Sequence, residues 1–222
     1  MKTHPLRCRC GALQGVLQVS RSATRALCYC ADCQAYARHL GSVARHDTEA
    51  AARAHGAAIV NDGILDGAGG TEVVATHPRY LRFTMGTDAL ACLSLSPRGL
   101  LRWYAQCCRT PIGNTARNQR LAYVGLVHVC LGDEAARQAS FGAVRMAVNT
   151  QSAHGTVPRF GPGSRAVALF NLAGSLLGAR LSSSYRQTPF FDAASHAPVR
   201  TPYVLSKAER ERAYRDAAAP NH

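Results

Sequence analysis

Apolar and polar residues alternate with a period of two early in the chain. Between Leu13 and Val19 every second residue is apolar or glycine, the pattern of a strand with one buried face. Pro97, Arg98 and Gly99 have the composition of a hairpin turn. Further runs rich in β-branched and aromatic residues predict strands over Thr71–Thr76, Tyr80–Thr84, Leu90–Ser96, Gly99–Ala105 and Leu121–Val129. The sequence therefore predicts a mainly β core of antiparallel sheets.

Helical spacing is found mostly outside these runs. Asp32–His39 fits a short amphipathic helix, and Asp47–His55, closed by Gly56, predicts a helical insertion near 44–58. After a linker at 158–163, apolar residues recur at helical spacing over 166–181, and Ser206 and Glu209 form a capping box that opens a terminal helix over 206–219. We therefore expect a β domain over residues 1–148 and a partly helical C-terminal extension over 149–222.

The helix predicted over 166–181 leaves two interpretations open. Val167, Phe170, Ala173, Leu177 and Leu181 can dock on the β core, or they can lie in a membrane surface with flanking arginines. The helix is too short to cross a bilayer, and no run of about 18 apolar residues predicts a transmembrane segment. The first ten residues lack the apolar stretch of a secretory signal, so we expect a cytoplasmic protein in a reducing compartment.

The charge is strongly positive, at +13, and all but two of the 26 basic residues are arginine. Such an excess favours acidic partners, which include anionic small molecules, nucleic acid and a membrane surface. A coding bias toward arginine explains the same composition equally well. No block of five or more consecutive basic residues is present, which weakens a nucleic-acid partner without excluding it.

Cysteine supplies the strongest chemical signal. Seven of the nine cysteines lie in three clusters, which are Cys8 and Cys10; Cys28, Cys30 and Cys33; and Cys107 and Cys108. Thiolates that converge from separate segments suit a tetrahedral zinc ion, whereas disulfides are rare in a reducing compartment. Cys92 and Cys130 lie inside apolar runs and are interpreted as buried core residues. The sequence therefore predicts zinc sites at the three clusters.

The three clusters and their neighbours resemble a known family. Cys8-Arg9-Cys10-Gly11, Cys28-Tyr29-Cys30-Ala31-Asp32-Cys33 and Trp103–Pro111 are similar to the motifs of the glutathione-dependent formaldehyde-activating enzyme and centromere protein V family. The resemblance covers about residues 6 to 130. It implies a β-tent of antiparallel sheets, a structural zinc at Cys8, Cys10 and Cys108, and a second zinc at Cys28, Cys30 and Cys33, where the chemistry occurs.

The third motif departs from the family pattern. Ala105 stands where the pattern has its first cysteine, and Arg109 stands where it has glycine. Cys107 must then supply the missing thiolate, and two vicinal cysteines reach one ion only with a distorted backbone. The alternatives are four thiolates, three thiolates with water, or an empty site. We therefore expect two zinc ions per chain, or one if Cys107 does not substitute.

The middle cluster has three thiolates and no obvious fourth ligand. His39, His46 and His55 are candidates to close the site, but none has the spacing of a ligand. An open fourth position would bind a small thiol as thiolate, which is the nucleophile that adds to an aldehyde. The resemblance implies glutathione as this thiol and a reaction of carbon–sulfur lyase type in reverse. Arg25 and Arg102 could pair with its carboxylates, although among so many arginines the choice is arbitrary.

The alternative function is a non-catalytic zinc-binding module. Its basic surface would bind an acidic macromolecule or a membrane surface, and the zinc ions would only stabilise the fold. The sequence leaves open whether the protein is an enzyme.

Overall fold

The computed structural model describes residues 2–41 and 63–218. The helix predicted over Asp47–His55 lies outside these residues. Four α-helices are described, α1 (31–41), α2 (Glu134–Phe141), α3 (Pro162–Leu181) and α4 (Lys207–Ala218). The strands are β1 (Thr3–Arg7), β2 (Gln14–Gln18), β3 (Thr24–Cys28), β4 (Thr71–Thr76), β5 (Leu81–Met85), β6 (Leu90–Ser94), β7 (Leu101–Ala105), β8 (Thr110–Thr115), β9 (Val124–Val127), β10 (Met146–Val148) and β11 (Tyr203–Val204).

The strands form two sheets. A three-stranded antiparallel sheet has the order β1-β2-β5, and an eight-stranded sheet has the order β10-β3-β4-β9-β8-β7-β6-β11. The two edge strands of the larger sheet, β10 and β11, pair in parallel with β3 and β6, and its other pairs are antiparallel. The prediction of a mainly β fold with antiparallel sheets and a partly helical C-terminal part is confirmed.

The predicted strands are present with small shifts at their ends. β4 has the predicted bounds, and the turn at Pro97–Gly99 joins β6 to β7, where the Gly99 N–H donates to the Ser96 carbonyl. The prediction over Leu121–Val129 was too long, because the strand ends at Val127 and the chain turns at His128–Cys130. The shorter strand still gives β9 the length it needs to pair with β4 and β8.

The main core lies around an aromatic group that joins distant parts of the chain. Trp103 on β7 is fully buried, and its indole N–H donates to the Thr115 hydroxyl at 2.9 Å. Phe190, also fully buried, packs against Trp103 with ring centroids 4.9 Å apart and meets Phe83 edge-on at 5.9 Å. Residues beyond 149 therefore contribute to the same core as the strands. The boundary predicted at 148/149 stays a prediction.

The C-terminal segment adds helix and sheet edge. The helix predicted over 166–181 begins four residues earlier, at Pro162, where proline fits the first turn. β11 extends the larger sheet, and the predicted capping box is present: the Ser206 N–H donates to Glu209 Oε2 at 2.8 Å, and the Glu209 N–H donates to the Ser206 hydroxyl. Within residues 2–41 and 63–218, the helices are all too short or too polar to traverse a bilayer.

A buried ion network ties α2 to the larger sheet. Arg25 on β3 has no exposed surface and donates to Glu72 of β4 at 2.7 Å and to Glu134 of α2 at 2.6 Å. Arg137 of α2 donates to the same two carboxylates at 3.2 and 2.9 Å. Asp133 is the N-cap of α2, and its side chain accepts a hydrogen bond from the Ala136 N–H. Two guanidinium groups and two carboxylates thus balance their charges where α2 packs on the sheet.

A buried histidine makes the fold sensitive to acid. His77 Nδ1 accepts from the Arg79 N–H at 3.0 Å, and burial, then the positive charge of Arg79, lower the pKa of His77 to about 4. Since this pKa lies below the ordinary value of 6.5, the stabilisation is fully present above pH 6.5 and is lost as pH falls toward 4. We expect unfolding in urea to show a loss of up to about 3 kcal/mol over this range from His77 alone.

The matched variant is His77→Asn, whose side chain accepts the same N–H but cannot be protonated. Its free energy of unfolding should vary less between pH 6.5 and 4 than that of the parent protein. Equal pH profiles for the two proteins would show that His77 does not contribute to the acid sensitivity.

Candidate metal centres

The first candidate centre brings together four cysteines from two turns. The Sγ atoms of Cys8, Cys10, Cys107 and Cys108 all lie within 4.8 Å of one another. Cys10 and Cys107 are 3.3 Å apart, Cys8 and Cys10 are 3.5 Å apart, and Cys8 and Cys107 are 3.8 Å apart. All four cysteines are free, and these separations are well beyond the sulfur–sulfur bond length of a disulfide. Both vicinal cysteines therefore point into one group.

Each turn holds its two thiols through main-chain hydrogen bonds. Cys8 follows β1, and its sulfur accepts the Leu13 N–H at 3.3 Å while Gly11, at a φ of 78°, closes the turn. Cys107 and Cys108 lie in the turn from β7 to β8, which ends at Arg109 with a φ of 54°. The left-handed conformation at Arg109 closes the turn directly after the two cysteines, and it is a conformation that glycine adopts most readily.

The four thiols differ in environment. Cys8 and Cys108 are buried, whereas Cys10 and Cys107 are exposed. Burial raises the pKa of the Cys8 thiol, and partial loss of water contact beside the other thiols, followed by the hydrogen bond with Cys10, raises the pKa of the Cys107 thiol. Burial acts in the same direction on Cys108, but the Thr110 hydroxyl at 3.0 Å and nearby main-chain N–H groups outweigh it and lower the pKa of Cys108 to about 7. Cys108 thus ionises more readily than Cys8 and Cys107.

The second candidate centre lies where β3 leads into α1. The Sγ atoms of Cys28, Cys30 and Cys33 lie within 4.8 Å of one another, with Cys28 and Cys33 at 3.7 Å. The Cys30 sulfur accepts the Cys33 N–H at 3.3 Å, so the first turn of α1 builds the group. Hydrogen bonds from the thiols of Cys30 and Cys33 lower the pKa of Cys28 to about 2. The N-terminus of a helix also favours a thiolate.

Three further residues surround this second group, and sequence patterns did not single out two of them. Arg102 of β7, which is fully buried, directs its guanidinium to the Cys33 sulfur at 3.9 Å, and Asn149 directs its amide to the Cys28 sulfur at 3.6 Å. Burial, and then the charge of Cys28 and Cys33, raises the pKa of Tyr123. Asn149 and Tyr123 are distant in sequence from the cysteines, and only the alignment of β10 and β9 with β3 and β4 brings them near.

Arg102 also connects this group to the C-terminal helix. Its guanidinium donates to Asn114 at 3.2 Å and to Asp32 at 3.4 Å, and it lies over the Tyr36 ring. Asp32 in turn accepts the Tyr214 hydroxyl of α4 at 2.5 Å. Arg25, by contrast, is committed to Glu72 and Glu134. Both guanidinium groups are buried among internal partners, which leaves little of either free to receive the substrate carboxylates considered from the sequence.

The fourth position at the second group is not supplied by the described histidines and carboxylates. Within residues 2–41 and 63–218, the group contains the three cysteines and no His, Asp or Glu. His39 lies on α1, six residues beyond Cys33, and is not a member of the group. The candidates His46 and His55 lie outside the described residues. Cys92 and Cys130 are buried in the main core, as predicted.

The geometry of both groups fits a metal ion. Four sulfurs at 2.3 Å from a tetrahedral zinc ion would be about 3.8 Å apart. The sulfur separations given above lie between 3.3 and 3.8 Å, and Cys107 and Cys108 are 3.9 Å apart. Thiolate is also the donor that soft and borderline metal ions prefer. The two cysteine groups can therefore each hold a metal ion, one with four sulfur ligands and one with three.

Comparison with known proteins gives a family but no activity. No curated protein matches the chain. Among solved structures it is similar to a Rhodobacter sphaeroides protein, at 16% identity and a TM-score of 0.39, over 65% of this chain and 99% of that one. A family model described as a family of unknown function, DUF6151, matches residues 1–173. Because this match includes both cysteine groups and most of the chain, the protein belongs to the DUF6151 family.

Proposed function

We propose that the protein is a zinc protein in which the two cysteine groups have different tasks. The ion at Cys8, Cys10, Cys107 and Cys108 stabilises the fold, and the ion at Cys28, Cys30 and Cys33 binds a small thiol such as glutathione. The bound thiol then adds to an aldehyde, a reaction of carbon–sulfur lyase type in reverse. The observation that supports the proposal is that, among residues 2–41 and 63–218, one group offers four sulfur ligands and the other offers three with no fourth ligand.

The number of cysteine ligands distinguishes the structural task of the first group from the chemical task of the second. Four thiolates complete a tetrahedral site, and closed sites of this kind are structural. Three protein ligands leave a fourth position for water or substrate, as in catalytic zinc sites. A zinc ion there would keep a substrate thiol deprotonated near neutral pH. The thiolate sulfur would bond to the aldehyde carbon while the carbonyl oxygen takes a proton from solvent, which balances the addition.

The charges around the second group suit a thiolate site. Three cysteine thiolates and a divalent ion carry one net negative charge, which a dry interior disfavours. Arg102 supplies a buried positive charge at 3.9 Å from Cys33, and the Asn149 amide donates toward Cys28 at 3.6 Å. Both side chains therefore hold the sulfurs in their ionised state. Arg102 in addition keeps its own position through Asn114 and Asp32.

The test is a calorimetric titration of the zinc-loaded protein with glutathione. Because a thiol that binds zinc as thiolate releases a proton, the measured heat should differ between two buffers of different ionisation enthalpy. The Cys30→Ser variant should bind less metal and show no buffer-dependent heat. The Cys92→Ala variant, which removes a buried thiol outside both groups, should behave like the parent protein.

Two outcomes would contradict the proposal. If zinc is present but glutathione gives no heat in either buffer, the second group is closed and the non-catalytic zinc module becomes the better explanation. If Cys30→Ser retains the buffer-dependent heat, the thiol binds elsewhere on the protein.

A further inference from the structure

Three large apolar residues of α3 point to solvent and not to the core. Phe170 is 80% exposed, Leu181 is 79% exposed, and Leu177 is 60% exposed. Together with Ala166 and Ala173 they recur three or four positions apart, so they form one stripe along the helix. A helix that packs on a core turns such a stripe inward. We call these five residues, Ala166, Phe170, Ala173, Leu177 and Leu181, the apolar stripe.

The side of α3 that faces the body carries small and polar residues instead. Gly174, Gly178 and Asn171 line an open cleft of about 490 Å³ between α3 and the segments that contain Ser20 and His77. Ala179 is the buried residue at this side of the helix. Phe170, Leu177 and Leu181 do not line this cleft. The helix does contact the sheet, at β10, as one of the two interpretations of the sequence expects, but these three residues do not make the contact.

The charged residues in and around α3 are all arginines. From residue 135 to residue 191 the sequence contains six arginines and no aspartate or glutamate. Arg159 precedes α3, Arg180 lies in its last turn, Arg186 follows it, and all three side chains are exposed. Arg145, also exposed, is adjacent to the start of the helix, where its carbonyl accepts the Ser164 hydroxyl. Arg137 is neutralised by Glu72 and Glu134, but the other five arginines have no acidic residue within the same segment, so the apolar stripe lies in a positively charged region.

We infer that the apolar stripe is the membrane-binding surface of this protein, and that it inserts into the interface of a bilayer that contains anionic lipid. Apolar side chains enter the boundary between headgroups and acyl chains, and flanking arginines bind lipid phosphates. The positive charge around the stripe favours an anionic bilayer over a second copy of the chain. Two copies that met through the stripe would bring the same arginines together without an acidic residue from this segment to pair with them.

The experiment is co-sedimentation of the full chain with two kinds of vesicle. One kind contains equal parts of phosphatidylglycerol and phosphatidylcholine, and the other contains phosphatidylcholine alone. We expect binding to the first kind, weaker binding to the second, and a decrease as salt is raised. The double variant Phe170→Ser and Leu177→Ser should bind at least roughly tenfold more weakly, since it removes two side chains that would be buried.

The control variant is Met85→Ser with Leu121→Ser. These residues are 50% and 55% exposed and belong to β5 and to the segment before β9, so the variant removes exposed apolar surface that is not part of the stripe and should bind like the parent protein. Circular dichroism checks that both variants retain their fold. The inference is overturned if the parent protein does not bind anionic vesicles, if the α3 variant binds as well as the control variant, or if the stripe is found to mediate a dimer that ignores vesicles. None of these results depends on the cysteine groups.

Discussion

Replacing Cys8 by alanine is expected to remove one metal ion per chain and to unfold much of the protein at ordinary temperature. Cys8 is fully buried, and its sulfur lies within 3.8 Å of Cys10 and Cys107. Structural zinc contributes on the order of 10 kcal/mol to folding in small zinc peptides, because the site forms only in the folded state. Metal content by mass spectrometry and the urea midpoint of unfolding measure the two losses.

The matched control is Cys92→Ala, which removes a thiol that is equally buried but lies outside both groups. It should keep two zinc ions and lose only the free energy of a small cavity, on the order of 1 kcal/mol. The Cys30→Ser variant should stay folded with one ion. The division into a structural and a chemical site would be wrong if Cys8→Ala and Cys30→Ser had the same midpoint of unfolding. Absorbance of an iron–sulfur cluster in the parent protein would contradict zinc at both groups.

The second large effect is expected from Glu72→Ala. Glu72 accepts from both Arg25 and Arg137, and its removal leaves two buried guanidinium groups with only the partly exposed Glu134 as a carboxylate partner. Breaking a buried ion network by removing one member lowers the free energy of unfolding by about 3 to 5 kcal/mol. Urea unfolding at neutral pH measures this difference.

An exposed ion pair supplies the comparison. Asp88 is fully exposed where it meets Arg200 at 3.4 Å, so Asp88→Ala should change the free energy of unfolding by less than about 1 kcal/mol. If Glu72→Ala were as mild as Asp88→Ala, the network would not be what holds α2 on the sheet.

The sequence predicted the cysteine groups better than it predicted the strands around them. Close pairs and triplets of cysteine are a local signal, and each pair or triplet is built by a single turn. β1 was missed because it is short and contains Pro5, which an edge strand tolerates. β8 was missed because proline, glycine and asparagine interrupt its apolar pattern, although all six of its residues are buried between β7 and β9.

The surroundings of the cysteine groups could not be predicted from local patterns. Arg25 can be buried in a strand because Glu72 and Glu134, which are remote in sequence, neutralise its charge. Arg102 belongs beside Cys33 only because β7 and α1 meet in the folded chain. The sequence left open whether Cys107 and Cys108 both join one group, because the answer depends on how the turn from β7 to β8 meets the turn that holds Cys8 and Cys10. These features depend on tertiary contacts, which cannot be predicted from the spacing of residue types along the sequence.

The burial of Phe190 has a consequence for the order of folding during synthesis. Phe190 and Phe191 complete the core around Trp103, and β11, later still, pairs with β6. A ribosome releases the chain from its N-terminus, so β6 and β7 emerge about a hundred residues before these partners. Until then the core beside Trp103 remains incomplete and apolar surface stays open. We expect the nascent chain to depend on chaperones at this stage and to reach its final packing only when the last fifth of the protein has been made.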